Sequence, residues 1–85
     1  MDARSIGRQI RKYRIAQNLR QEDLAEKVGL SANYMGMVER GEKTPSLETF
    51  VLIANALGVS ADMLLMDPIV LHLWKALLIN LFALF

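Results

Sequence analysis

The feature that most constrains this chain is a set of seven placed residues between Gln21 and Arg40. Leu24, Val28, Leu30, Met35 and Val38 stand at the fourth, eighth, tenth, fifteenth and eighteenth places of that stretch, with Ala25 and Gly29 at the fifth and ninth. Apolar residues three or four apart share one face of a helix, and the pattern restarts after Gly29. Glycine closes a helix by taking the left-handed conformation without steric cost, so Val28-Gly29 reads as a stop and Ser31 as the cap of a second helix. Two short helices must then cross steeply through a three-residue turn. Ala25 falls where they approach most closely, and a larger side chain there would push them apart.

The remaining periodicity builds an all-α fold around this pair. Ile6, Ile10, Tyr13 and Gln17 recur at i, i+4, i+7 and i+11 and mark the inner face of a first helix ending near Asn18. Arg40-Gly41 and Leu57-Gly58 repeat the glycine stop. Gly58-Val59-Ser60 also repeats Gly29-Leu30-Ser31 in full: a stop, an apolar residue folding back on the helix just ended, and a serine cap. Thr44-Pro45-Ser46 opens a fourth helix with Leu47, Phe50, Val51, Ala54 and Leu57 as its core face, and Ser60 starts a short fifth through Leu65. Five helices therefore occupy residues 4–66.

Composition closes several routes to function. Cysteine is absent and His72 is the sole histidine. No disulfide, metal site or cofactor is expected, and no nucleophile, base and orienting group converge by motif, so an enzyme is not expected either. The amino terminus is charged where a secretory signal would be apolar, which makes the cytoplasm the default location. The net charge of +1 hides an asymmetry. Arg4, Arg8, Arg11, Lys12, Arg14 and Arg20 oppose Asp2 alone, a local balance of +5, whereas from Gln21 to Asp67 three bases face eight acids, a balance of −5. Arg4, Arg8 and Arg11 share one helix face, and such a run is ordinarily solvated surface.

Asp67-Pro68 reads as another helix start, capped by aspartate with proline in the first turn. The chain therefore divides into residues 1–67 and a hydrophobic sixth helix over 68–85. From Ile69 to Phe85 all residues but His72, Lys75 and Asn80 are apolar. His72, Lys75, Ala76, Asn80 and Ala83 form one narrow stripe, and His72 is expected as a tolerated polar group there. A monomer could not leave the remaining circumference exposed. The leading expectation is oligomerisation through Leu71, Trp74, Leu77, Leu78, Leu81 and Phe85. Packing on its own domain, membrane attachment and a tail without an evolved role are the alternatives, and a span needs about 20 residues.

Gln21-Glu22-Asp23-Leu24-Ala25, Val38-Glu39-Arg40-Gly41, Pro45-Ser46 and Ala54-Asn55-Ala56-Leu57-Gly58-Val59 together resemble the phage repressor and Cro-like helix-turn-helix family, also called the xenobiotic response element family. The resemblance runs from Ile6 to Leu65. It implies a five-helix repressor-like domain that binds a pseudo-palindromic DNA operator as a homodimer, with the second motif helix in the major groove and transcriptional regulation, most simply repression, as the outcome. A protein-interaction module of the same fold, antitoxin-like or adaptor, and a membrane-tethered regulator are the rival readings.

On a helix from Ala32 to Arg40, the residues Asn33, Gly36, Met37 and Arg40 form a stripe opposite Met35 and Val38. That stripe is expected to face solvent and meet DNA, with Gly36 letting the helix approach the groove floor. Asn33 suits an adenine edge, since its amide both donates and accepts, and Met37 and Ala32 suit thymine methyls. Arg20, Gln21, Arg40, Lys43 and Thr44 are candidates for phosphate contact, Gln21 by resemblance to the family's phosphate clamp, and Tyr34 either joins them through its hydroxyl or packs at the edge of the core. Arg20 stands where the family usually has a threonine or serine cap, so Asn18 or a water would have to substitute. Glu39 points inward and needs a cation. Arg14, where the family carries its matching arginine, is expected to form a partly buried ion pair with it.

Overall fold

The computed structural model describes residues 2–66 and 68–83, and every regular element among them is a helix. In chain order these are α1 (Ala3–Ala16), α2 (Gln21–Val28), α3 (Ala32–Glu39), α4 (Leu47–Leu57), α5 (Ala61–Leu65) and α6 (Pro68–Ala83). Short polar side chains set four of the starts. Asp2 accepts the Ser5 N–H at 2.8 Å and Ser31 accepts that of Tyr34 at 3.0 Å. Ser46 and Ser60 accept the N–H groups of Thr49 and Met63, each at 3.2 Å. A serine cap of this kind contributes about 1 kcal/mol.

The two matching joints fold alike. Gly29 and Gly58 take φ of 72° and 67°, and the following residues turn back so that Leu30 N–H reaches the Ala25 carbonyl at 2.9 Å and Val59 N–H that of Ala54 at 3.1 Å. Both closures satisfy carbonyls the helix end would otherwise leave unpaired.

Ile10, Leu24, Met35, Val38, Ile53 and Leu64 are fully buried, joined by Ala25, Phe50, Ala54 and Leu57. Burial of each large side chain is worth roughly 1.5–3 kcal/mol before entropy is charged against it. Two sequence expectations about this core are corrected. Leu47 is 80% exposed and Val51 44%, whereas Ile53 is wholly inside. Val51 and Ile53 lie about 200° apart around a helix, so burying one excludes the other. The buried arc is Phe50, Ile53, Ala54 and Leu57, and Leu47 and Val51 occupy its flank. Gln17 is also exposed, because α1 ends two residues before Asn18; its amide donates to the Leu57 carbonyl and ties the end of α1 to α4.

α1 passes very close to the end of α3. A Cβ on Gly7 would stand 2.5 Å from the Val38 carbonyl oxygen and nearer still to that of Glu39. Gly41, at φ 77°, likewise has the Arg4 backbone 2.9 Å from where a side chain would begin. These glycines bring the first helix directly onto the backbone of α3.

α6 projects from the five-helix body, which gives the molecule extents of 50 × 22 × 20 Å. Leu73, Leu77, Leu78, Ile79 and Leu81 are all about half exposed or more. Among the described residues no helix is long and apolar enough to cross a membrane. Of the proposed oligomerisation set, Leu77, Leu78 and Leu81 are exposed; the Leu71 and Trp74 side chains, Phe85 and the Asp67 cap lie outside the described residues.

Candidate nucleic-acid interface

Ala32 and Asn33 open α3 on the protein surface, both exposed, immediately after the Ser31 cap. Met37, one turn further on, is half-buried, and Tyr34 is half-buried beside it. Met35 and Val38 point inward at 0% exposure and hold the helix to the core. The exposed start of α3 therefore has a closely packed back.

That back includes a charged network. Arg14 donates from Nε to Glu39 Oε2 at 2.7 Å and from Nη2 to Oε1 at 3.0 Å, a bidentate pair with side chains only 10% and 2% exposed. The expected ion pair is present and is more deeply buried than partial burial implied. Its remaining bonds were not anticipated: Arg14 Nη1 donates to the Leu19 carbonyl at 2.7 Å, and Gln21 Nε2 donates to Glu39 Oε1 at 3.2 Å. α1, the α1–α2 connection, α2 and α3 thus converge on two side chains. Such saturation is what lets buried charges persist, since each would otherwise lose its hydration without compensation.

Gly36 is corrected. It is buried rather than facing solvent, because the Arg40 guanidinium lies 3.0 Å and the Gln21 side-chain oxygen 3.3 Å from where its Cβ would stand. The glycine makes room for two long side chains that fold across α3. Gln21 is consequently engaged with Glu39 in this state, and Arg40 with Glu42 through two bonds of 3.1 Å. Lys43 and Thr44 are exposed on the loop after α3, and that loop is held by the Glu42 and Lys43 N–H groups donating to the Met37 carbonyl.

At the start of α2 no side chain caps the helix. An arginine has no acceptor to offer. Asn18 does not substitute; it takes φ 58° in the turn after α1. Asp23 instead accepts the Arg20 N–H at 2.8 Å, and its carboxylate also pairs with the Arg20 guanidinium at 3.0 Å while Glu22 takes another nitrogen at 2.9 Å. The guanidinium hydrogen bond, then the backbone one, holds the Asp23 carboxyl below its ordinary range. Arg40 does the same to Glu42. Both exposed arginines on this side are paired with neighbouring acids while remaining at the surface.

Gly7 was the residue that sequence reasoning missed. A glycine inside a helix costs about 1 kcal/mol relative to alanine, so its place between Ile6 and Ile10 was the available signal of a close packing contact.

The sequence pattern of the helix-turn-helix family matches residues 10–64. The chain belongs to that family. It is 44% identical over 66 residues to the control protein C.SmaI of Serratia marcescens, an alignment spanning 76% of this chain and 79% of that one. Among solved structures it is similar to the restriction-modification controller protein C.AhdI from Aeromonas hydrophila, with TM-score 0.70 and 37% identity over 73% of this chain and 94% of the controller. It is also similar to SinR, the master regulator for biofilm formation, solved in complex with DNA, with TM-score 0.68 and 32% identity over 72% of this chain and 98% of that one. This helix-turn-helix protein is a DNA-binding transcriptional regulator, not an enzyme.

Proposed function

We infer that the regulator reads its operator by laying α3 in the major groove, with Asn33 on a base edge and Ala32 and Met37 on thymine methyls. The observation that carries this reading is the exposed start of α3 set on a buried, hydrogen-bonded back: Ala32 and Asn33 are exposed, while Glu39 is held by Arg14 and Gln21. Gly36 contributes by letting Gln21 and Arg40 lie flat across the helix. Phosphate contacts come from Lys43, Thr44 and Tyr34, and from Arg40, Gln21 and Arg20 once DNA competes for their present partners.

The regulator acts as a homodimer on a pseudo-palindromic site in the cytoplasm, its half-sites about 34 Å apart. The exposed Leu77, Leu78 and Leu81 of α6 supply the pairing surface. Control of restriction-modification genes is the narrower reading, favoured by similarity to two control proteins over 79% and 94% of their lengths. Selection of bound sites from a randomised duplex pool tests the whole reading. It should return one motif with two-fold symmetry; an asymmetric motif would remove the dimer, and no enrichment at low salt would remove base reading.

A further inference from the structure

A recess of about 330 Å³ lies between α1, α5 and the His72 and Lys75 side chains of α6, away from the start of α3. Ligand pockets begin at about this size. Lys12 and Tyr13 contribute from α1, Met63 and Met66 from α5 and its end, and His72 and Lys75 from α6. Among the described residues Asp62 is the one acid in the lining. Lys12 Nζ stands 5.3 Å from the centre of the Tyr13 ring, so a cation and an aromatic face are presented together. The two thioethers add soft, adaptable surface that suits an aromatic ring.

Gln9 forms part of the same wall and has an unmet need. It is 4% exposed; its Nε2 donates to the Met66 carbonyl at 3.0 Å, but its buried Oε1 receives no hydrogen bond. A buried acceptor without a donor costs roughly 1–3 kcal/mol. The recess thus combines a cationic rim, an apolar and aromatic floor, and an acceptor awaiting a donor.

We propose that this recess is an effector site for a small aromatic carboxylate. The carboxylate draws Lys12 on α1 off the Tyr13 ring and bridges it to Lys75 on α6, the ligand ring takes that place on Tyr13 against Met63 and Met66, and a ring hydroxyl donates to Gln9 Oε1. The bound anion pairs with lysines on two helices and so fastens α6 to the body. His72 and Lys75 then turn toward the recess, leaving Leu73, Leu77 and Leu81 outward, where each is more than half exposed. Occupancy would therefore favour pairing of α6 with a second copy; this regulatory half rests on the dimer reading above, while the binding half does not.

The test is calorimetric titration of the full chain with benzoate, 4-hydroxybenzoate and inorganic phosphate. One saturable site per chain is expected for both aromatic acids, tighter for the hydroxylated one, with binding weakened at least tenfold in the Lys12→Gln, Lys75→Gln double variant. Both lysines are exposed, so the variant should melt as the parent does. Absence of a saturable site, phosphate binding as tightly as benzoate, or unchanged binding in the double variant would each overturn the site. Mass in solution is then measured with and without 4-hydroxybenzoate. A larger dimer fraction is expected; an unchanged fraction despite intact binding would overturn the coupling alone. Site selection without carboxylate reads DNA recognition separately, so its failure is distinguishable from failure of the effector site.

Discussion

Arg14 with Glu39 and Arg40 with Glu42 are two bidentate arginine–carboxylate pairs on the same helix end, one 2.7 and 3.0 Å long, the other 3.1 Å in both bonds. Their surroundings differ far more than their lengths. The first pair has side chains 10% and 2% exposed, the second 56% and 54%. A buried charge that loses its partner has no water to turn to, so the inner pair fixes α3 against α1 and α2. An exposed pair exchanges its partner for water, salt or phosphate with little change in free energy. The protein thus uses one chemical device twice, once to hold α3 to the core and once, at the surface, in a pair that solvent can open.

Breaking the inner pair should have the largest effect. Glu39→Ala leaves the Arg14 guanidinium buried and unpaired and should cost about 3–5 kcal/mol, read by denaturant unfolding. Replacing both partners with apolar residues, Arg14→Met with Glu39→Leu, should cost less than the single change, and an equal or greater loss would show that the charges themselves stabilise the fold. Gly7→Ala comes next, at about 2–3 kcal/mol, because a methyl group would collide with backbone carbonyls that cannot step aside. A melting temperature equal to the parent's would refute that close approach.

The outer pairs predict smaller, pH-dependent effects. Hydrogen bonds from Arg20 and Arg40 depress the Asp23 and Glu42 carboxyls below their ordinary values of 3.8 and 4.5. A depressed carboxyl contributes stability that is present above its ordinary value and is lost as pH falls through the folded-state value. Asp23→Asn should therefore flatten the acid side of the stability profile and leave its slope near neutrality unchanged. Glu42→Gln should leave melting nearly unaltered but raise duplex affinity a few-fold and steepen its salt dependence, since Arg40 no longer has to leave a carboxylate to reach phosphate. Unchanged affinity would mean that Arg40 stays clear of DNA.

The contrast also explains what was legible in the sequence. The turn at Gly29, the serine caps and the inward Glu39 follow from local spacing and from the cost of burying a lone carboxylate, so the residues alone pointed to them. Ile53 displaced Val51 from the core because periodicity defines the direction of a helix face less sharply than the packing of its neighbours. Gly36 read as open surface because a single-helix wheel carries no information on Gln21, reaching across from α2, or on Arg40 folding back over its own helix. Long polar side chains that cross between elements are the part of this site that spacing does not encode.

In the proposed function α3 reads bases through Asn33 while Arg14 and Gln21 hold its buried back. Binding isotherms of Asn33→Ala on a selected operator and on a scrambled duplex test this most directly. The predicted result is a loss of about 1–3 kcal/mol on the operator, confined to one base position in each half-site, with binding to the scrambled duplex preserved. An equal loss on both duplexes would contradict it.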